Sequence, residues 1–336
     1  MITLDDLREA QQRLQGTAVR TPLVRLPCPG DSACYLKAES LQPIGSFKLR
    51  GAYNKVAQIP AADRKYGVIT YSSGNHAQGV AYAARALGIR AVIVMPSNAP
   101  EVKRLATAAL GAEIVTVGPA SLERKARAEE LAARHGYTII PPYDDAAIIA
   151  GQGTCGLEIL EDMPDVDLIL APVGGGGLLS GIAAAVKLSR PDVRVIGVEP
   201  LLAGDAAESL RAGSVVHFTA EQTGRTLADG LRTQSVGALN FAHMQRYVDA
   251  ILTVTEAEIE AAMRTILFGA RLVAEPSGAV APAALLYLAD QLPSFRCAVA
   301  VVSGGNVEPE VLSRVLSHSP ASQTDAEPAG EGILTG

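Results

Sequence analysis

Lys48 stands in the run Gly45-Ser46-Phe47-Lys48-Leu49-Arg50-Gly51-Ala52, after a Pro43–Gly45 turn. A lysine between an aromatic ring and a leucine has two readings. It can lay its stem along apolar neighbours and keep its ammonium in water. It can also be a Schiff-base lysine, made nucleophilic by desolvation beside a cofactor. A second candidate is Val173-Gly174-Gly175-Gly176-Gly177-Leu178. Four glycines let the backbone close on an anion and turn N–H groups toward it, and a following helix adds its positive end. No Lys-Ser/Thr follows, which excludes a Walker P-loop, and the spacing is not a dinucleotide fingerprint. A single phosphate monoester is the better guest, with plain packing as the alternative.

Two polar turns complete the set, Ser72-Ser73-Gly74-Asn75-His76 and Ser303-Gly304-Gly305-Asn306. Singly, each is ordinary helix-cap or turn sequence. All four lie after predicted strands or at helix starts. In open α/β sheets the ligand crevice lies beyond the carboxyl ends of the strands, which is where such residues would be needed.

The positioning elements follow from periodicity. Strands are predicted over Val68–Tyr71, Ala91–Met95, Ile114–Val117 and Thr138–Ile140, with helices over Asn75–Leu87, Glu101–Leu110 and Ser121–His135. After Gly151–Gly156, read as a break, helix Leu157–Asp162, strand Leu168–Val173, helix Leu178–Ser189 and strand Val193–Val198 continue the rhythm. Strand Ile251–Val254, helix Glu256–Gly269, helix Ala279–Gln291 and strand Ala298–Val302 close it. Strands alternating with long helices imply parallel sheets covered on both faces.

At 336 residues, with 48% hydrophobic and 19% charged residues, the chain is globular and large enough for two domains. A net charge of −6 without a basic cluster argues against nucleic acid or an anionic membrane as partner. No apolar run reaches the length of a membrane helix and the N-terminus is no signal peptide, so a soluble cytoplasmic protein is expected. Cys28, Cys34, Cys155 and Cys297 fall at irregular spacings, which predicts reduced, structural thiols. His135, His217, His243 and His318 show no ligand spacing. Residues 319–336 read as a disordered tail.

Together the four motifs, from Thr21 to Asn306, resemble the fold-type II enzymes of pyridoxal 5′-phosphate (PLP), in the group of serine/threonine dehydratases and serine racemase. The resemblance implies an α/β fold like that of the tryptophan synthase β chain, with two open-sheet domains and PLP in the cleft. The larger domain would comprise residues 1–65 and 145–318 and the smaller 66–144. Lys48 would carry PLP, with Phe47 beside the ring and Asn75 on the 3-hydroxyl. Gly174, Gly175, Gly176, Gly177 and Leu178 would wrap the phosphate. Ser303 would meet the pyridine nitrogen, and Glu275 would face the cofactor. Ser72, Ser73, Gly74, Asn75 and His76 would form the substrate loop. Glu199 and Asp205, with the Ala203 carbonyl, resemble the group's divalent-cation site and would suit Mg²⁺, although the same loop is also ordinary capping sequence. A homodimer is implied as well.

The activity implied is an ammonia-lyase that eliminates water, then ammonia, from L-threonine or L-serine. Ser73 opposite Lys48 would make the two-base arrangement of a racemase, and another substrate such as 3-hydroxyaspartate is a further alternative. The sulfur-amino-acid synthases share the lysine but typically place Thr after Ser-Gly-Asn, where His76 stands here. A nicotinamide dehydrogenase would need an adenine-ribose fingerprint that is missing. A binding protein without catalysis would have no use for an intact Lys48.

Overall fold

The computed structural model describes residues 1–28, 32–99, 101–118 and 121–317. The predicted tail and His318 lie outside them. Ten strands form two sheets among the described residues. They are β1 (Leu23–Leu26), β2 (Ala33–Ala38), β3 (Val68–Tyr71), β4 (Ala91–Pro96) and β5 (Glu113–Val117), then β6 (Thr138–Ile139), β7 (Leu168–Pro172), β8 (Arg194–Pro200), β9 (Ala250–Val254) and β10 (Cys297–Val302). The larger sheet has the order β1-β2-β10-β7-β8-β9 and the smaller β5-β4-β3-β6.

Every pairing is parallel except β1 with β2, an edge hairpin that the parallel expectation did not include. That hairpin also corrects the cysteine reading. Its register sets Leu26 opposite Cys34, which brings Cys28 within reach, and the structure joins Cys28 to Cys34 by a disulfide with Cα atoms 5.7 Å apart. Cys155 and Cys297 are buried free thiols.

Strands β7, β8 and β10 are continuous apolar runs because both faces of their sheet are covered. On one face Leu168, Leu170 and Val302 pack with Val280 and Ala284 of helix Pro276–Tyr287. On the other, Ile169, Ala171 and Val301 meet Leu179 and Ile182 of helix Gly177–Ser189. The smaller sheet repeats the sandwich, with Val80 and Ala84 on one side and Ala128 and Leu131 on the other.

Gly151–Gly156 is no break. One helix, Ala146–Asp162, runs through it from an Asp145 cap that accepts the Ala147 and Ile148 amides. The glycines serve contact: a Cβ on Gly151 would lie 2.7 Å from the Gly51 Cα, and one on Gly153 2.7 Å from the Gly181 carbonyl. They let this helix press against two neighbours at backbone distance. The predicted helix Glu256–Gly269 is α-helical only to Thr265, then widens to a π turn over Ile266–Ala270. The helix expected from Ala279 starts at Pro276, where a missing N–H costs nothing.

Candidate active site

Lys48 opens helix Lys48–Ala57. That helix is held from below by charges with almost no access to water. Arg50 donates to Glu39 from Nε at 2.7 Å and to Glu158 from Nη1 at 2.7 Å, while Lys37 donates to Glu158 at 2.7 Å. Two cations against two carboxylates leave no net charge in the core. Removing one member of such a set typically costs about 3–5 kcal/mol, because its partner is left buried and bare. The helix carrying Lys48 is therefore firmly placed.

The Lys48 ammonium donates to the Pro142 carbonyl at 2.8 Å and lies 5.2 Å from the Phe47 ring centre. Burial pulls its pKa down to about 8 from 10.5. This side chain is no snorkelling surface lysine. Phe47 is fixed in turn, its amide donating to the Ser303 carbonyl at 3.0 Å, next to a bridge between Ser46 and Gly304. The Ser303 hydroxyl donates to the Ser277 carbonyl at 3.3 Å.

Asn75 begins helix Asn75–Ala86, directly after β3. Its Nδ2 donates to Glu275 Oε1 at 2.6 Å, and its Oδ1 accepts from Asn306 Nδ2 at 2.7 Å. Burial, then the Asp229 charge, push Glu275 up to about 7. His76 shares a hydrogen bond between Nε2 and the Ile140 carbonyl at 3.1 Å, which makes Nε2 the protonated nitrogen. Its Nδ1 is buried without a partner, and burial, then Lys48, hold the imidazole neutral with a pKa near 3. Ser72, Ser73 and Gly74 complete this half-buried turn.

The glycine run turns from β7 into helix Gly177–Ser189, with Gly176 at φ 96°, a left-handed conformation that favours glycine. No turn or loop bond engages the N–H groups of Gly174 to Leu178, whereas the Gly175 carbonyl accepts from Gly237 N–H and Asn240 Nδ2. The free donors at a helix start fit a phosphate. A Cβ on Gly175 would clash with Cγ and Cδ1 of the Tyr143 ring, and one on Gly177 would lie 3.2 Å from the Tyr143 Cβ. Pro142 and Tyr143 thus join the lysine to the glycine turn. The sequence reading missed both, since a Pro-Pro-Tyr loop carries no ionisable signal at neutral pH. Asn306 was quoted in a motif without a role.

Glu199 and Asp205 come together, and the Asp205 charge is felt by Tyr143. Glu199 accepts from the Ala206 and Ala207 amides at 3.0 and 2.8 Å, and both Asp205 oxygens are buried, with the Asp205 and Val236 amides near them but no hydrogen bond of good geometry. Burial raises Asp205 to about 7, and burial followed by the Asp205 charge raises Glu199 well above the carboxylate range. No group of three or more His, Cys, Asp or Glu side chains suited to a metal occurs among the described residues. A bare buried carboxylate beside a second one nevertheless fits a hard cation. No helix among the described residues is long and apolar enough to cross a membrane.

Known proteins match this arrangement. The chain is 42% identical over 320 residues to the L-threonine ammonia-lyase of Thermotoga maritima, covering 94% of this chain and 79% of that protein. It is 39% identical to the serine racemase of Schizosaccharomyces pombe, over 94% of this chain and 97% of that one. The crystal structure of a threonine deaminase from T.th. superposes with a TM-score of 0.86 at 42% identity, covering 91% of this chain and 99% of that one. The family described as pyridoxal-phosphate dependent enzyme matches residues 14–304. With a part-buried, desolvated lysine and a glycine turn whose amides are free, the chain belongs to the family of pyridoxal-phosphate-dependent enzymes.

Proposed function

We propose that this enzyme is a carbon–nitrogen lyase that eliminates water from L-threonine or L-serine, after which water hydrolyses the released enamine, through its imine, to 2-oxobutanoate or pyruvate plus ammonia. The observation that carries the reading is the part-buried, desolvated Lys48 ammonium on Pro142, linked through Tyr143 to the free amides of the glycine turn. Bound PLP supplies the electron sink for the charge left on the substrate Cα. Lys48 holds the cofactor and, once displaced by the substrate amine, takes the Cα proton. The amides of Gly174 to Leu178 hold the phosphate, Asn75 the ring hydroxyl, and Phe47 the ring face. Ser72, Ser73, Gly74 and Asn75 receive the substrate carboxylate, with neutral His76 behind them. Ser303 offers the ring nitrogen a hydroxyl rather than a carboxylate. Turned from the Ser277 carbonyl, that hydroxyl would leave the nitrogen of a bound cofactor unprotonated and would favour loss of a leaving group over amino transfer.

Three assignments accompany this reading. The two sheets support a division into residues 66–144 and the two flanking segments, 1–65 and 145–318. The bare Asp205 carboxylate supports a divalent cation such as Mg²⁺ at Glu199, Asp205 and the Ala203 carbonyl. A cytoplasmic homodimer is the proposed assembly, which sedimentation and cell fractionation test.

The reaction is tested by assaying 2-oxo acid release and enantiomer exchange over a panel of 3-hydroxy amino acids. The 39% identity to a serine racemase makes the second activity worth reading. If Ser73 is a second acid–base group, Ser73→Ala abolishes exchange and spares dehydration of the L-enantiomer, a loss of about 10²–10⁴-fold in one activity only. Equal loss of both makes Ser73 a substrate-orienting residue.

A further inference from the structure

Lys103 lies on helix Glu101–Ala109, between β4 and β5, and is absorbed by none of the roles above. Its Nζ is 2.5 Å from Asp229 Oδ2 and 3.4 Å from Glu308 Oε1. Among the described residues, these are the ion pairs that join the β3–β6 unit to the rest of the molecule. The lysine is largely buried, at 14% exposure, while Asp229 and Glu308 keep 41% and 34%.

Both carboxylates lie on segments that shape the crevice. Asp229 begins the turn Asp229–Leu231, and a Cβ on Gly174 would lie 3.2 Å from the Leu231 Cα. In the same turn the Gly230 amide donates to the Ser277 hydroxyl at 2.9 Å, and the Ser277 carbonyl accepts the Ser303 hydroxyl. Glu308 follows the Ser303–Asn306 turn. Lys103 also opposes the effect of Asp229 on Glu275, which holds Asn75. Contacts with half-exposed carboxylates are individually weak, which suits a bond that opens and closes with each turnover.

We propose that Lys103 is a positioning residue for the reaction: it latches the β3–β6 unit onto Asp229 and Glu308 and so closes the crevice on the amino acid substrate. The proposal rests on the lyase reading for its substrate, and its test includes a readout that does not.

The test compares PLP-loaded wild type with Lys103→Met, Lys103→Arg and the charge exchange K103D/D229K. Titrating the cofactor absorbance with L-alanine, which has no β-hydroxyl to lose, gives a dissociation constant without elimination, and 2-oxo acid release from L-serine gives kcat and KM. Hydrogen exchange over Glu101–Ala109 and Asp229–Leu231 needs no substrate. In Lys103→Met the cofactor absorbance and melting temperature should persist, while the dissociation constant and KM rise about two- to fivefold, as for loss of a partly exposed ion pair. Exchange in both segments should quicken, and Lys103→Arg and the charge exchange should recover most of the loss. Wild-type constants and exchange in Lys103→Met overturn the latch, as does a loss that neither rescue variant recovers. A wild type that releases no 2-oxo acid defeats the reading of the reaction instead, and the exchange measurement still decides the latch.

Discussion

The Lys48 ammonium and the Pro142 carbonyl meet at 2.8 Å where burial disfavours the charge. One neutral acceptor does not repay the lost hydration, so the pKa falls to about 8. The neutral amine is the form that attacks an aldehyde. The rate at which cofactor-free protein captures PLP should therefore climb through pH 7 and level off above about 8. Stopped-flow absorbance measures it. A rate still climbing at pH 10 would mean that Lys48 is solvated like a free lysine.

Gly175 has no room for a side chain on the side of Tyr143. Gly175→Ala should cost about 1–3 kcal/mol of stability through overpacking and weaken PLP binding, because the amide beside it is displaced. Adding Tyr143→Ala should recover part of the PLP affinity. Equilibrium dialysis of the single and double variants reads this out, and unaltered affinity in Gly175→Ala would dissociate the turn from the phosphate.

Glu275 gives a pH dependence of known sign. Its folded-state pKa is raised to about 7, above the unfolded value near 4.5, so the folded chain binds the extra proton. The contribution to stability is full below pH 4.5 and is lost as pH rises through about 7, with a ceiling of roughly 3 kcal/mol. Glu275→Gln cannot ionise and should gain on wild type across that window. Melting curves of the cofactor-free proteins at pH 5 and 8 make the comparison, and parallel curves would refute it.

A cation at Glu199 and Asp205 binds only the folded chain and so stabilises it by mass action. Chelation should lower the melting temperature, Mg²⁺ should restore it, and Asp205→Asn should remove the response. Indifference to both chelator and Mg²⁺ would return these residues to helix capping.

Periodicity marked all four strands of the smaller sheet and β7 to β10, the buried β4, β7 and β10 as unbroken apolar runs and the more exposed β5 and β9 as short β-branched runs between turns. It misjudged Gly151–Gly156, since glycines that admit a neighbouring backbone look the same in sequence as glycines that end a helix. Arg50, two residues from Lys48, read as part of a motif with no partner. Glu39 and Glu158 are 11 and 108 residues away, and only the fold brings them together. Lys48, Asn75 and the glycine turn were legible because their chemistry needs particular residue types at strand ends. Pro142 contributes a backbone carbonyl, which every residue has, and Lys103 finds its acidic partners across the crevice.

Lys48 and its surroundings eliminate water from a 3-hydroxy amino acid, and hydrolysis of the released enamine then frees ammonia and a 2-oxo acid. The most direct measurement follows 2-oxo acid and ammonia together when PLP-loaded protein is given L-threonine or L-serine. The two should appear in equal amounts, and Lys48→Ala should form neither, having lost the yellow absorbance of the lysine-bound cofactor. A wild type that leaves both amino acids unconsumed, or a Lys48→Ala variant with near-normal release, would contradict it.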